Sequence, residues 1–249
     1  MQGQVYFITG HTGIAEAAAR LAAARGAQVF VCGLEAEPGE LLHMELGCGH
    51  YAGDLTEAEH AEKAVAYCLK MYGRIDGLFN VAGASGRKHG DGPLHLLSEH
   101  AWEWTLAANL RATFLVSRTV LRRMIPRRAG SIVNMSSVIA SSPESDDFAP
   151  HAYAPAKGGI AALTRSMASA YAEHGIRVNA LAPGLVRTPM SRRAQESEEI
   201  LEKMKRKQPL AQGLIEPEDA ARAALFLLSP ESAMITGQVL AVDAGWSLR

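Results

Sequence analysis

A single domain of the α/β class, built on a doubly wound parallel sheet, is what this sequence predicts, and three observations predict it. Short apolar runs rich in valine, isoleucine and phenylalanine alternate with helical segments along the chain. That alternation implies a parallel sheet covered on both faces. A glycine turn, Thr9-Gly10-His11-Thr12-Gly13, follows the first run and opens an alanine-rich segment. Polar and turn residues recur at the strand ends, at Gly10, Asp54, Asn80, Ser137 and Pro183. In open sheets of this kind, ligands bind beyond the carboxyl ends of the strands.

The elements follow in order. Val5-Tyr6-Phe7-Ile8 reads as a strand, and residues 14–25 as a helix closed by Gly26-Ala27. A glycine turn between the two lets backbone N–H groups approach a phosphate at a helix N-terminus; a plain structural turn is the alternative. Gln28-Val29-Phe30-Val31-Cys32 is continuously apolar after its first residue, as a strand buried on both faces should be. A short helix over 39–46 and a third strand near 49–52 follow. Thr56 and Glu59 have the spacing of a capping box for a helix over 57–71. Residues 75–80 form the fourth strand, and 84–97 a loop carrying Arg87, Lys88, His89, Asp91 and His95. A long helix is expected over 98–124, with Trp102 and Trp104 as packing residues, and Pro126 and Gly130 bracket its exit. The fifth strand is Ser131-Ile132-Val133-Asn134-Met135, and 141–150 is a loop. A helix from Tyr153 to about Glu173 is stopped by Gly175, and residues 176–181 are the sixth strand, followed by a turn at Ala182-Pro183-Gly184. The charged stretch 187–207 reads as a mobile helical lid, 216–228 as a helix and 237–242 as the last strand.

Composition bounds the function classes. The chain has 249 residues, enough for one α/β domain with a full core. Its formal charge of −1 offers no basic excess to bind nucleic acid or an anionic membrane. No apolar run is long enough to span a bilayer, and the start reads as a strand, not a leader peptide. Cys32, Cys48 and Cys68 stand apart without CxxC spacing, and the nine histidines form no HxxxH pair. The expectation is a cytoplasmic protein with reduced thiols and no metal.

Tyr153 and Lys157 carry the chemistry. Four residues apart on a helix, they share a face. A tyrosine titrates near ~10, too high for proton exchange at neutral pH. A nearby ammonium lowers that value and makes the phenol a general acid/base. A solvated lysine beside a half-buried tyrosine is the plainer reading of the pair alone.

The ordered set is Thr9-Gly10…Gly13-Ile14, Asp54, Asn80-Val81-Ala82-Gly83, Asn109, Ser137, Tyr153…Lys157, Asn179, Pro183-Gly184, and an ending over 235–245. Over essentially the whole chain this set resembles the short-chain dehydrogenase/reductase family, whose fold is Rossmann-like. The resemblance implies hydride transfer between a nicotinamide cofactor and a secondary alcohol/ketone pair. It implies Tyr153 as general acid/base, Lys157 as holder of the nicotinamide ribose, Ser137 on the substrate oxygen, and Asn109 supporting a water in a proton relay. Ser136 remains the alternative serine, and a helix-kink residue is the alternative reading of Asn109. Gly10, Thr12, Gly13, Ile14, Gly33, Leu55, Asn80, Ala82 and Gly83 would shape the cofactor site. Asp54 would accept from the adenine amino group or merely cap the next helix. Pro183, Gly184, Val186 and Thr188 would line the nicotinamide side. A homotetramer or homodimer is also implied, with the helices over 98–124 and 153–173 at one interface.

Three departures stand out. The glycine turn is one residue shorter than the family's, with Ala15 at its third glycine position. The end of the second strand holds Gly33 and Leu34, neither the acid that marks NAD nor the arginine that marks NADP. Without a cation for the phosphate, NAD is favoured over NADP. The Ser137–Tyr153 spacing is extended by Pro143-Glu144-Ser145-Asp146-Asp147-Phe148, whose acids would favour a cationic or polyhydroxylated substrate or would simply be solvated. Two other functions stay open: a non-redox dehalogenase or lyase using the Ser–Tyr pair, and a cofactor-binding regulator or scaffold without turnover. Retention of Asn109, Ser137, Tyr153 and Lys157 together argues against both.

Overall fold

The computed structural model describes residues 1–144 and 150–249. Seven parallel strands form one sheet in the order β3-β2-β1-β4-β5-β6-β7. They are β1 (Val5–Thr9), β2 (Gln28–Gly33), β3 (Gly49–Ala52), β4 (Gly77–Asn80), β5 (Gly130–Met135), β6 (Ile176–Pro183) and β7 (Val239–Val242). Alternate residues of each strand feed two cores. Tyr6 and Ile8 face α1 (Ile14–Ala24), α2 (Ala36–Leu46) and α9 (Pro217–Leu228), while Val5 and Phe7 face α3 (Ala58–Tyr72), α5 (Ala112–Arg127) and α6 (Tyr153–Tyr171). Every residue of β1 is buried, which is why its sequence shows no polar alternation.

The register brings the strand ends level. Thr9 pairs with Asn80, and Asn80 with Asn134. Residues beyond these three therefore gather along one edge. Over that edge lie α7 (Arg192–Gln195) and α8 (Glu198–Lys207), whose Ala194, Ile200 and Met204 bury against Val138, Leu214 and Trp246. The charged stretch read as a loose lid thus has an apolar underside.

Four local expectations are corrected. The capping box does not form: α3 starts after Glu57 with no side-chain cap, because Glu59 pairs with Lys63 and Thr56 is held by an Asx turn from Asp54. The single long helix is two, α4 (Glu99–Leu106) and α5, joined by a π-helical turn at Ala107–Arg111. The helix expected from residue 39 starts at Ala36, with Pro38 in its first turn, where a missing N–H costs little. Finally, β6 continues through Ala182 and Pro183, so the turn begins at Gly184.

Candidate active site

The glycine turn comes first. Helix α1 begins on Gly13, at φ 59, with no side-chain cap. Its first-turn N–H groups are left to an anionic ligand such as a pyrophosphate. Gly13 must lack a side chain for a second reason: a Cβ there would stand 2.8 Å from Thr188 Cγ2. Gly10 holds φ 97, and its missing Cβ leaves room for the Ala15 methyl, which would otherwise lie 3.1 Å away. Alanine at the third glycine position is accommodated in this way. Thr9 Oγ1 accepts hydrogen bonds from the Val81 and Ala82 N–H groups, both at 2.9 Å, tying the end of β4 to the turn. The residues present thus fit a dinucleotide on the pyrophosphate side. Thr12 is exposed, while Ile14 belongs to the core.

The adenosine side carries a residue that sequence reasoning passed over. His11 is 6% exposed, and its ring fills the gap left by Gly33 and Gly39. A Cβ on either glycine would stand 3.0 Å from a ring nitrogen. Burial, opposed by backbone contacts at Glu35 and Tyr51, lowers the His11 pKa. The imidazole is therefore neutral near pH 7. Leu34 is 72% exposed, and Glu35 precedes the first turn of α2. Asp54 is exposed, with Oδ1 engaged by the Thr56 N–H at 2.9 Å. Leu55 is buried in the core, so a cofactor would meet its backbone only.

The tyrosine, lysine, serine and asparagine converge. Lys157 Nζ lies 5.3 Å from the centre of the Tyr153 ring and donates to the Met135 carbonyl at 2.9 Å. Ser136 Oγ is committed to the Lys157 carbonyl at 2.9 Å. Ser137, which hydrogen-bonds the Tyr153 phenol, is the serine left for a substrate. Asn109 is fully buried in the π-helical turn, a feature frequent at functional sites. Its Nδ2 donates to the carbonyls of Ala84 and Thr105 at 2.8 and 2.9 Å, while Oδ1 has no partner. A side chain on Gly83 would collide with that Oδ1 and would stand 3.4 Å from Lys157 Nζ. Gly83 thus lets asparagine and lysine approach each other.

The electrostatics differ from the sequence expectation. Burial pushes the Tyr153 phenol up to about 12, only partly opposed by Ser137. Burial also lowers Lys157 to about 7. The lysine therefore does not bring the tyrosine down, because desolvation penalises both charged forms.

Other assigned residues separate into two groups. Asn80 is buried, with its amide nitrogen committed inside the protein. Its amide donates to Ser117 Oγ at 2.9 Å and Asn134 Oδ1 at 2.8 Å, and Asn134 in turn donates to Thr164 Oγ1 at 2.9 Å. This ladder fastens β4 and β5 to α5 and α6. Of Pro183, Gly184, Val186 and Thr188, Thr188 lies against Gly13 of the glycine turn, and the intervening Leu185 is held by buried Gln208. Its Oε1 accepts from the Leu185 N–H at 2.6 Å and its Nε2 donates to the Leu185 carbonyl at 3.1 Å. A side chain on Gly184 would strike it. His151 meets the Gly92 carbonyl at 3.0 Å, and Trp104 stacks on His89 with centroids 3.6 Å apart. Trp102, expected to pack, is 36% exposed. Glu144 is bound by Lys203 at 3.1 Å and by Lys207, so its charge is answered by α8, not by a substrate. Ser145, Asp146, Asp147 and Phe148 of the same acidic loop lie outside the described residues. Among the described residues no cluster of His, Cys, Asp and Glu suits a metal, and no helix is long and apolar enough to cross a membrane.

Fold and site together define a nucleotide-dependent oxidoreductase on a doubly wound sheet, and the comparisons agree. The family profile described as enoyl-(acyl carrier protein) reductase matches residues 8–247. The 3-oxoacyl-[acyl-carrier-protein] reductase FabG of Thermotoga maritima is 34% identical, covering 98% of each chain. A mitochondrial borneol dehydrogenase of Lavandula x intermedia is 33% identical over 100% of this chain and 92% of its own. A short-chain type dehydrogenase/reductase from Mycobacterium ulcerans superposes with a TM-score of 0.93 at 30% identity, covering 100% of this chain and 91% of that one. The chain belongs to the short-chain dehydrogenase/reductase family. It is an NAD(P)-dependent oxidoreductase acting on an alcohol/ketone pair.

Proposed function

We propose that this enzyme interconverts a secondary alcohol and its ketone with Tyr153 as general acid/base and NAD as the preferred cofactor. The observation that supports these roles is the meeting of the Ser137 hydroxyl, the Tyr153 phenol and the Lys157 ammonium beyond the end of β5. A bound nicotinamide accepts or supplies the hydride. Tyr153 takes the proton from the alcohol oxygen during oxidation and returns it to the ketone oxygen during reduction. Ser137 fixes that oxygen by a hydrogen bond, which sets the carbon's orientation. Lys157 binds the nicotinamide ribose, and Asn109, with its buried unpartnered Oδ1, lies on the route by which the proton reaches solvent. Gly10, Gly13, Ile14, Ala82 and Gly83 form the cofactor cradle, Asp54 the adenine contact, and Pro183 to Thr188 the nicotinamide side. Residues 187–207 act as the substrate lid.

The preference for NAD rests on the adenosine side. Gly33, Leu34 and Glu35 offer no cation, and His11 is held neutral, so none of these four balances a 2′-phosphate. Titration with NADH and NADPH, followed by fluorescence, tests this. Tighter NADH binding at pH 7.5 is expected, and tighter NADPH binding would overturn the assignment. The probe alcohols for turnover are borneol and cyclohexanol.

A further inference from the structure

Helix α6 starts at the tyrosine itself, and residue 152 before it is an alanine that offers no side-chain cap. The N–H groups of Ala152 and Tyr153 nevertheless have acceptors. Asp91 Oδ1 takes the first and Oδ2 the second, each at 2.9 Å. Asp91 is 5% exposed and comes from a loop sixty-odd residues earlier in the chain, so both oxygens of one buried carboxylate are spent on the start of this helix. A carboxylate there also meets the positive end of the helix dipole.

The loop that delivers Asp91 is held at its other end by the site. The Asp91 N–H donates to the Gly86 carbonyl at 3.1 Å. Gly86 has φ +71, and a Cβ there would stand 2.9 Å from Asp91 Cβ. Two residues before Gly86, the Ala84 carbonyl accepts from Asn109 Nδ2 at 2.8 Å. Beyond Asp91, the Gly92 carbonyl accepts from the His151 N–H at 3.3 Å. Residues 84–92 therefore run as a brace from Asn109 to Tyr153.

We propose that Asp91 is a positioning residue for the reaction, fixing the height of Tyr153 against Ser137 through the first turn of α6. This rests on the acid/base role assigned to Tyr153. Both carboxylate oxygens are engaged by the Ala152 and Tyr153 N–H groups, so Asp91 acts through the backbone that carries the phenol. A displacement of about 1 Å at a reacting group costs on the order of 100-fold in rate.

The test compares Asp91→Asn, Asp91→Ala, Tyr153→Phe and Ser229→Ala with the wild type. Ser229 caps a remote turn by accepting the Glu231 N–H and controls for simple loss of a cap. Amide hydrogen exchange is followed over residues 84–92 and 150–157, alongside NADH affinity and the kcat and KM for cyclohexanol. In Asp91→Asn, kcat should fall at least about 10-fold while KM and the NADH Kd stay within about 3-fold. Exchange should speed up at both ends of the brace. Ser229→Ala should leave all of these unchanged.

An Asp91→Asn protein with wild-type kcat beside an inactive Tyr153→Phe would overturn the role of Asp91 alone. A loss of kcat accompanied by an equal loss of NADH affinity would also overturn it, since that is what a merely structural role produces. Full turnover in Tyr153→Phe would instead remove the acid/base reading. The exchange measurement needs no turnover: unchanged exchange at residues 152–153 would show that the carboxylate does not hold the helix.

Discussion

Lys157 is a lysine in a place where its charge is penalised. It is 2% exposed and burial brings it to about 7, well under the ~10.4 of a free lysine. The unfolded chain therefore binds more protons than the folded one between those two values, and folding stability rises with pH across that window. Below about 7 the buried ammonium imposes its full penalty. Lys157→Met should accordingly raise the Tm of the cofactor-free protein by ~5 °C or more at pH 6, and the gain should shrink as pH approaches 10. A thermal scan across pH checks this, and a lower Tm at pH 6 would contradict it. The same substitution removes the proposed ribose contact, an exchange of function for stability common at active sites. At this scale the sequence was legible where chemistry is local. Tyr153 and Lys157 share a helix face by spacing alone. Asp91 and Gln208 were not legible, because their partners lie far along the chain and no spacing rule connects them. His11 lies inside the recognised turn, but its burial depends on Gly33 and Gly39 facing it from two other elements.

Among elements, the segment after β6 shows how one buried side chain can hold a functional loop. Gln208, fully buried at the end of α8, binds both backbone groups of Leu185 and the Gly213 carbonyl. It supplies the acceptor for the Leu185 N–H, while the Leu185 carbonyl also accepts from the Ile215 N–H at 3.1 Å. Removing it takes the side-chain partner from the Leu185 N–H and the Gly213 carbonyl, at ~1–3 kcal/mol for each group left unpaired. Gln208→Ala should lower stability by at least ~2 kcal/mol in urea unfolding and weaken NADH binding several-fold, because Gly184, which packs on Gln208, is proposed to line the nicotinamide side. Wild-type NADH affinity in a destabilised variant would show that this segment is not part of the cofactor site. Element boundaries followed local signals where those were the dominant force, as in the strands Val5–Thr9 and Gly49–Ala52. They failed where a competing contact decided. The Glu59–Lys63 pair displaced a capping box, and the register of residues 98–127 hid a π-helical turn that apolar periodicity cannot resolve.

For the molecule as a whole, alternation of strand and helix was sufficient to predict the sheet, since a right-handed crossover leaves few ways to arrange it. The level strand ends then gather chemistry from six segments: the glycine turn, the end of β4, the turn holding Asn109, Ser137, the start of α6 and the stretch from Pro183 to Thr188. What the sequence could not reveal was the electrostatic state of the centre. Charge attraction between Tyr153 and Lys157 was expected to dominate, yet desolvation raises one to about 12 and lowers the other to about 7. The most direct measurement is the oxidation of borneol or cyclohexanol by the wild type and by Tyr153→Phe, with NADH affinity determined on the same samples. Turnover reduced by at least ~100-fold with NADH affinity intact is the predicted result. Undiminished turnover in Tyr153→Phe would contradict the account, because the proton would then be moving through some other group.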